Sequence, residues 1–409
     1  MEQLRAYERL IEYAGFETGS NGHTDERPTN PEEVTFGKAL VGELQTMGIA
    51  AEIDEHGVVY AKIPANVEGV KRIGFIAHLD TVGDVDYQDV HPCLIPEYDC
   101  EPLKLMNGTV LSPSESPALF RAKGKTLLVT DGNTLLGADD KAGVAEIMTL
   151  CEILSADPSV PHGEVSIAFT PDEEIGIGAD YFDVEKFGAD YAFTLDGGEF
   201  GELEYECFNG SSAYLTFKGK SIHTGTAKGC MIHAARLAME FDSMIPQDER
   251  PENTEGYEGF YHVTDLRGRV EKAILRYIIR DHDLDKLRER ENVVRRAAAA
   301  INEKYGEGSC TLELEDTYFN MAQIIRKYPE LTEKAAEAIR LAGGEVRTNP
   351  IRGGTDGARI SYMGLPTPNL GTGSGNHHGK CEYAVVEDMD KAVSMMKILL
   401  RLFAEERKN

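Results

Sequence analysis

Val165-Ser-Ile-Ala-Phe-Thr170 is an uninterrupted apolar, β-prone run that stops at Pro171 and is followed at once by Asp172, Glu173 and Glu174. A run of that length reads as a strand buried on both faces, and the proline ends its pairing. The backbone therefore delivers three adjacent carboxylates to the end of a buried strand. Three acids side by side repel one another, so the arrangement is costly unless something positive sits there, and a divalent cation is the simplest candidate. If Glu174 ligates such an ion, Glu173 points elsewhere and is placed to act as a general base. The competing reading is a solvated acidic turn, and the triplet alone does not separate the two.

Other strands end in the same way. Arg72-Ile-Gly-Phe-Ile-Ala77 runs into His78-Leu-Asp80, and Tyr191-Ala-Phe-Thr-Leu195 runs into Asp196. Val144, Ile147, Met148, Cys151 and Leu154 repeat at helical spacing, which predicts a helix with Asp139 and Asp140 at its N-terminus. One aspartate there suits the helix dipole, and the second needs another reason. Helices are also expected over residues 1–14, 32–47, 332–342 and 386–406, and short strands over 51–53, 58–63 and 127–130. Residues 84–125 read as loops and short hairpins, and 353–379 as a loop rich in Gly, Asn and Pro. Strands and helices that alternate, with polar residues collected at strand ends, predict a doubly wound α/β domain on a mixed sheet with its site along one edge.

Near residue 207 the rhythm changes. Strands at 211–218, 260–264, 273–280 and 310–315 alternate with helices at 231–244 and 283–305. That β-α-β-β-α-β order is the ferredoxin-like split sandwich. The expected organisation is a first part of one domain over 1–207, an inserted domain over 208–319, and the return of the first domain over 320–409.

Asp and Glu number 70 against 42 Lys and Arg, a formal net charge of −28. The resulting field disfavours nucleic acid, polyphosphate or an anionic membrane surface as the main partner, and it is compatible with cation binding. Seven cysteines without a CxxC pair fit reduced thiols better than a disulfide framework. The N-terminal segment lacks the apolar core of a signal peptide, and no run reaches the length of a membrane span, so a cytoplasmic location is expected.

The candidates at strand ends and in loops are His78, Asp80, Asp139, Asp140, Glu173, Glu174, Asp196, His377 and His378. Mixed imidazole and carboxylate ligands suit Zn(II), Mn(II) or Co(II), and a set with a shared carboxylate suits two ions. Spacing does not choose between Asp139 and Asp140, or between His377 and His378.

In order and spacing, His78-Leu-Asp80, Gly137-Ala-Asp-Asp-Lys-Ala-Gly143, Pro171-Asp-Glu-Glu174, Leu195-Asp-Gly-Gly198, Arg352-Gly-Gly-Thr-Asp-Gly357 and His378-Gly-Lys-Cys-Glu382 resemble the co-catalytic zinc exopeptidases of the M20 family. Gly256-Tyr-Glu-Gly-Phe-Tyr-His262 and Tyr277-Ile-Ile-Arg-Asp281 are similar to its tripeptide aminopeptidase branch. The resemblance implies two zinc ions bridged by Asp139, with His78 and Asp196 completing one position and Glu174 and His378 the other. Cobalt or manganese would be possible substitutes.

It implies further that Asp80 orients His78, and that Glu173 takes a proton from a metal-bridging water and passes it to the leaving amine. The inserted domain becomes a lid and dimerisation domain. Within it, His223 would steady the oxyanion across a homodimer and Arg280 would clamp the substrate carboxylate. His223-Thr-Gly departs from the more usual His-Pro-Gly, which bears on loop rigidity. The implied activity is release of the N-terminal residue from tripeptides. The rivals are an M20-type amidohydrolase acting on dipeptides or N-acyl amino acids, and an inactive metal-binding scaffold.

Overall fold

The computed structural model describes residues 5–405. Their contacts divide the chain into two compact units. One comprises the chain up to Tyr205, Gln323–Asn349 and the chain from Thr355 onward; the other comprises Glu206–Ala322 with Pro350–Gly354.

The first unit is built on a seven-stranded sheet in the order Ala50–Ile53, Val59–Ile63, Val165–Thr170, Ile73–His78, Tyr191–Gly197, Asn369–Gly371, Leu203–Glu204. Ile73–His78 runs parallel to Val165–Thr170 and to Tyr191–Gly197, which in turn runs parallel to Asn369–Gly371. The remaining pairs are antiparallel, so the sheet is mixed as expected. The central strands are buried on both faces because helices cover both. Phe75, Ile167 and Phe193 pack with the helices Ala138–Ala156, Pro329–Leu341 and Val386–Ala404 in one core. Their neighbours Ile76, Ala168 and Ala192 face a smaller core with Phe182, Phe187 and Ile360 on the other side.

Local chemistry explains the element ends. The helix Pro31–Thr46 starts with a reciprocal cap, in which the Asn30 side chain accepts from Glu32 N and Glu33 Oε1 accepts from Asn30 N. It stops at Gly48, which takes a positive φ of 80°.

The structure adds detail to two readings, at Leu127–Thr130 and at Asp139–Asp140, and corrects one, the loop over 353–379. Leu127–Thr130 is a strand outside the main sheet; it pairs with Pro92–Ile95 and Tyr383–Val385 in a separate four-stranded sheet with its own core of Tyr98, Leu119, Leu127 and Tyr383. The expected loop over 353–379 contains a helix, Asp356–Tyr362, and two strands, Asn369–Gly371 and Ser374–Gly375. Each is seven residues or fewer, too short for periodicity to declare. Asp139 and Asp140 precede the regular helix, with non-helical backbone at φ −88°, ψ 102° and φ −120°, ψ 30°.

The second unit carries strands Asn209–Lys218, Phe260–Gly268, Lys272–Asp281 and Cys310–Tyr318, with helices Ala234–Met244 and Leu284–Tyr305 between them. The strands lie in the spatial order second, third, first, fourth, all antiparallel, which is the split βαβ arrangement. The first helix begins at Ala234, three residues later than its apolar spacing suggests. Among the described residues no helix is long and apolar enough to cross a membrane.

Candidate active site

The carboxyl ends of the parallel strands share one edge of the seven-stranded sheet, and the first unit's candidate side chains collect there. His78 is the last residue of its strand, Asp196 the penultimate residue of its own, and Glu173 and Glu174 form the turn beyond Val165–Thr170. Asp139 enters from the start of the Ala138–Ala156 helix. His378 enters from the turn before the strand Tyr383–Val385.

Asp139 stands between two histidines. Its Oδ1 lies 3.1 Å from His78 Nε2, and its Oδ2 lies 3.1 Å from His378 Nε2. His78 Nε2 is also 3.5 Å from Asp196 Oδ1, and His378 Nε2 is 3.0 Å from Glu174 Oε2. His78 is thereby grouped with Asp196, and His378 with Glu174, on opposite oxygens of one carboxylate.

A further set of buried polar groups holds the backbone that carries these side chains. Asp80, fully buried, accepts Glu173 N–H at 2.9 Å on one oxygen and Glu174 N–H at 3.0 Å on the other. The Nδ1 of His78 meets the Asp80 carbonyl at 3.0 Å and its carboxylate at 3.3 Å, so Asp80 braces the histidine and the acidic turn together. Asn369 Oδ1 accepts Asp196 N–H at 3.1 Å. The Asp356 N–H, at the start of a helix capped by Thr355, reaches Glu173 Oε1 at 3.3 Å.

Asp140 and His377, the sequence's unresolved alternatives, are occupied differently. His78, Asp140 and Asp196 have ligand atoms within 4.8 Å of one another, as do His78, Asp139 and Glu174. The Asp140 oxygens, however, accept backbone N–H from His78 at 3.1 Å and Gly143 at 3.3 Å, which commits this carboxylate to the chain. His377 Nε2 is engaged by Ser374 Oγ at 2.8 Å, and its Nδ1 is 3.6 Å from Asp139 Oδ2.

His223 and Arg280 belong to the second unit. His223 is exposed, and its Nδ1 accepts Gly225 N–H at 3.2 Å. Arg280 lies in the strand Lys272–Asp281, donates Nη1 to the carbonyls of Ser211 and Ile279, and stacks over the Tyr318 ring at 5.0 Å.

The electrostatics are those of a crowded anionic site. Burial pushes the Glu173 carboxyl well above the usual carboxylate range, and Asp196, Asp356 and Glu174 add to it. Burial lifts Glu174 to about 7, although the His378 hydrogen bond pulls the other way. Asp139 is held well below the ordinary range despite its burial, because His377, His378 and His78 surround it. Hydrogen bonds to Asp139 and Glu174 raise His378 to about 11.

Two observations test whether these residues fit metal ions. Separations of 3.0–3.5 Å between neighbouring donor atoms match the edge of a tetrahedron around an ion bonded at ~2.1 Å, which is ~3.4 Å. Glu174 Oε1 is buried without any hydrogen-bond partner among the described residues, an orphan that an ion would satisfy. The set fits.

Sequence reasoning gave no role to Asp356, Asn369 or Glu382, although Asp356 and Glu382 stand inside motifs it singled out. Groups that brace backbone rather than ligate leave no spacing signature.

Residues 127–402 match the profile of Peptidase family M20/M25/M40. A Clostridium perfringens protein named Peptidase T is 48% identical over 404 residues, covering 98% of this chain and 100% of that one. The structure of aminopeptidase PepT from Bacillus cereus superposes with a TM-score of 0.76 at 21% identity over 99% of each chain. A dinuclear metal-binding M20 peptidase from Bacillus subtilis superposes with a TM-score of 0.64 at 16% identity, over 98% of this chain and 99% of its own.

Proposed function

The chain belongs to peptidase family M20/M25/M40, and on that premise we propose that it is a metal-dependent aminopeptidase that releases the N-terminal residue of tripeptides. The observation that carries the reading is Asp139, whose two oxygens each face a different histidine and, beyond it, a different carboxylate. We assign His78 and Asp196 to one metal position, Glu174 and His378 to the other, and Asp139 to both. Imidazole and carboxylate donors at tetrahedral spacing favour zinc, with cobalt or manganese as substitutes. When bound, the ions supply Lewis acidity that polarises the scissile carbonyl and acidifies the attacking water.

The chain's own residues do the rest. Glu173 takes the proton of that water and delivers it to the departing amine. Its Oε1 is aimed by the Asp356 N–H, and its backbone is pinned by Asp80. Burial beside Asp196, Asp356 and Glu174 raises its proton affinity, which suits a group that must hold a proton between two steps. Asp80 keeps the His78 ring oriented through Nδ1. In the second unit, read as a lid and dimerisation domain of a cytoplasmic homodimer, His223 is the candidate for steadying the oxyanion. Arg280 is the candidate for the substrate's terminal carboxylate.

The test is one peptide series, offered as di-, tri- and tetrapeptide with free and acetylated amino ends, assayed before and after chelation and zinc restoration. Zinc-restored cleavage of the free-amino tripeptide is expected. Cleavage of the acetylated forms would instead identify an amidohydrolase, and a metal-loaded protein without turnover would identify a scaffold. Arg280→Ala is expected to weaken cleavage of free-acid tripeptides selectively; an equal loss on C-terminally amidated peptides contradicts the clamp.

A further inference from the structure

Glu382 lies four residues beyond His378 and is 2% exposed. Both of its oxygens point at the loop that precedes the Ala138–Ala156 helix. Oε2 accepts the N–H groups of Leu136 at 2.8 Å and Gly137 at 2.7 Å, and Oε1 accepts that of Asp139 at 2.9 Å. These N–H groups belong to the helix start and have no partner within the helix. Gly137 turns the chain there at φ 75°, so that successive donors face one concave site. Charge-assisted bonds of this kind are short and strong, and three on one carboxylate leave its position little freedom.

The same short segment carries His378, whose side chain is 51% exposed, in contrast to 2% for His78. His78 and Asp196 are fixed on the sheet by separate means, through Asp140 and Asn369. His378 is far from Asp139 in sequence and reaches it from a turn. Glu382 is the tie between that turn and the Asp139 backbone.

We infer that Glu382 is a positioning residue, a carboxylate clamp that fixes Asp139 and sets its distance to His378, so that it governs metal occupancy of the His378–Glu174 position more than of the His78–Asp196 position. The inference rests on the reading of Asp139 as the shared ligand. In Glu382→Gln one oxygen becomes an amide nitrogen, which places N–H against N–H at one or two of the three bonds. In Glu382→Asp the charge is kept and the reach is lost.

The test is zinc titration of the full-length, chelator-stripped protein in competition with a chromogenic chelator, with the wild type, both Glu382 variants and Asp139→Asn measured side by side. The expected result for Glu382→Gln is one zinc equivalent bound close to wild-type strength and a second ~10–100-fold weaker, the usual cost of losing an outer partner of a ligand. Glu382→Asp gives the same asymmetry and serves where Glu382→Gln yields no folded protein. A purely structural role would not change the ratio of the two affinities. Wild-type affinities at both positions in the Glu382 variants, with Asp139→Asn weakened, would overturn the clamp and leave the shared-ligand reading standing. If Asp139→Asn itself binds both ions like the wild type, the shared-ligand reading is what fails.

Discussion

Glu382 and Glu146 are both almost completely excluded from solvent, at 2% and 0% exposure, yet their surroundings are opposite. Glu382 sits at the sheet edge beside the start of the Ala138–Ala156 helix and receives three backbone N–H groups. Glu146 sits in the body of that same helix, where the N–H groups are consumed by the helix itself, and neither of its oxygens has a partner among the described residues. Burial pushes its carboxyl well above the usual range, and Asp390 adds to the effect. A buried acid is thus not by itself a functional signal. What distinguishes the active edge is that helix starts and strand ends expose unpaired donors, and carboxylates that accept them hold the backbone in place.

The largest effect is expected at the one carboxylate assigned to the reacting atoms. Glu173→Ala should lower kcat by ~10²–10⁴-fold with zinc content unchanged by elemental analysis; wild-type turnover would remove the base assignment. Next comes a carboxylate that braces the acidic turn and the His78 ring without touching the reacting atoms. Asp80→Ala strands the part-buried Glu173 and Glu174 N–H groups, so kcat/KM should fall ~10–100-fold together with the melting temperature of the zinc-loaded protein. A fall in stability with unaltered kinetics would show that the brace matters only for folding.

Glu146 should behave in the opposite sense. Glu146→Leu removes a buried group without partners and should stabilise the protein by about 1–3 kcal/mol at neutral pH. The native state keeps a proton that the unfolded chain releases above its ordinary value near 4.5. Wild-type stability therefore declines as pH rises beyond that value. The advantage of Glu146→Leu should then grow from pH 5 to pH 8 in thermal melts, and a constant or shrinking advantage contradicts the assignment. The smallest effect belongs to the surface: Asp390→Asn, which breaks an ion pair with Arg5 whose side chains are 49% and 41% exposed, should change stability by less than about 1 kcal/mol.

Much of the active edge was legible because buried strands have a strong signature and their ends are easy to see. His78, Glu174 and Asp196 each follow a short apolar, β-prone run that reads as a buried strand. The β-α-β-β-α-β order was legible for the same reason. Asp139 and Asp140 are the same residue type in adjacent positions, and only a backbone that leaves the helix path there sends one carboxylate to the histidines and the other to the His78 N–H. The strand Asn369–Gly371 is three residues long and was hidden in a loop rich in Gly and Asn, although its Asn369 secures Asp196. Leu127–Thr130 showed that a strand can be recognised while its sheet cannot, because pairing is decided by contacts distant in sequence.

As proposed above, Asp139 would be shared by two metal ions at this edge. Anomalous diffraction from zinc-soaked crystals, recorded at the zinc absorption edge, tests it most directly. Two peaks are expected, one on each side of the Asp139 carboxylate, the first against His78 and Asp196 and the second against Glu174 and His378. A single peak, or two peaks bridged by Asp140 with Asp139 uncoordinated, would contradict it.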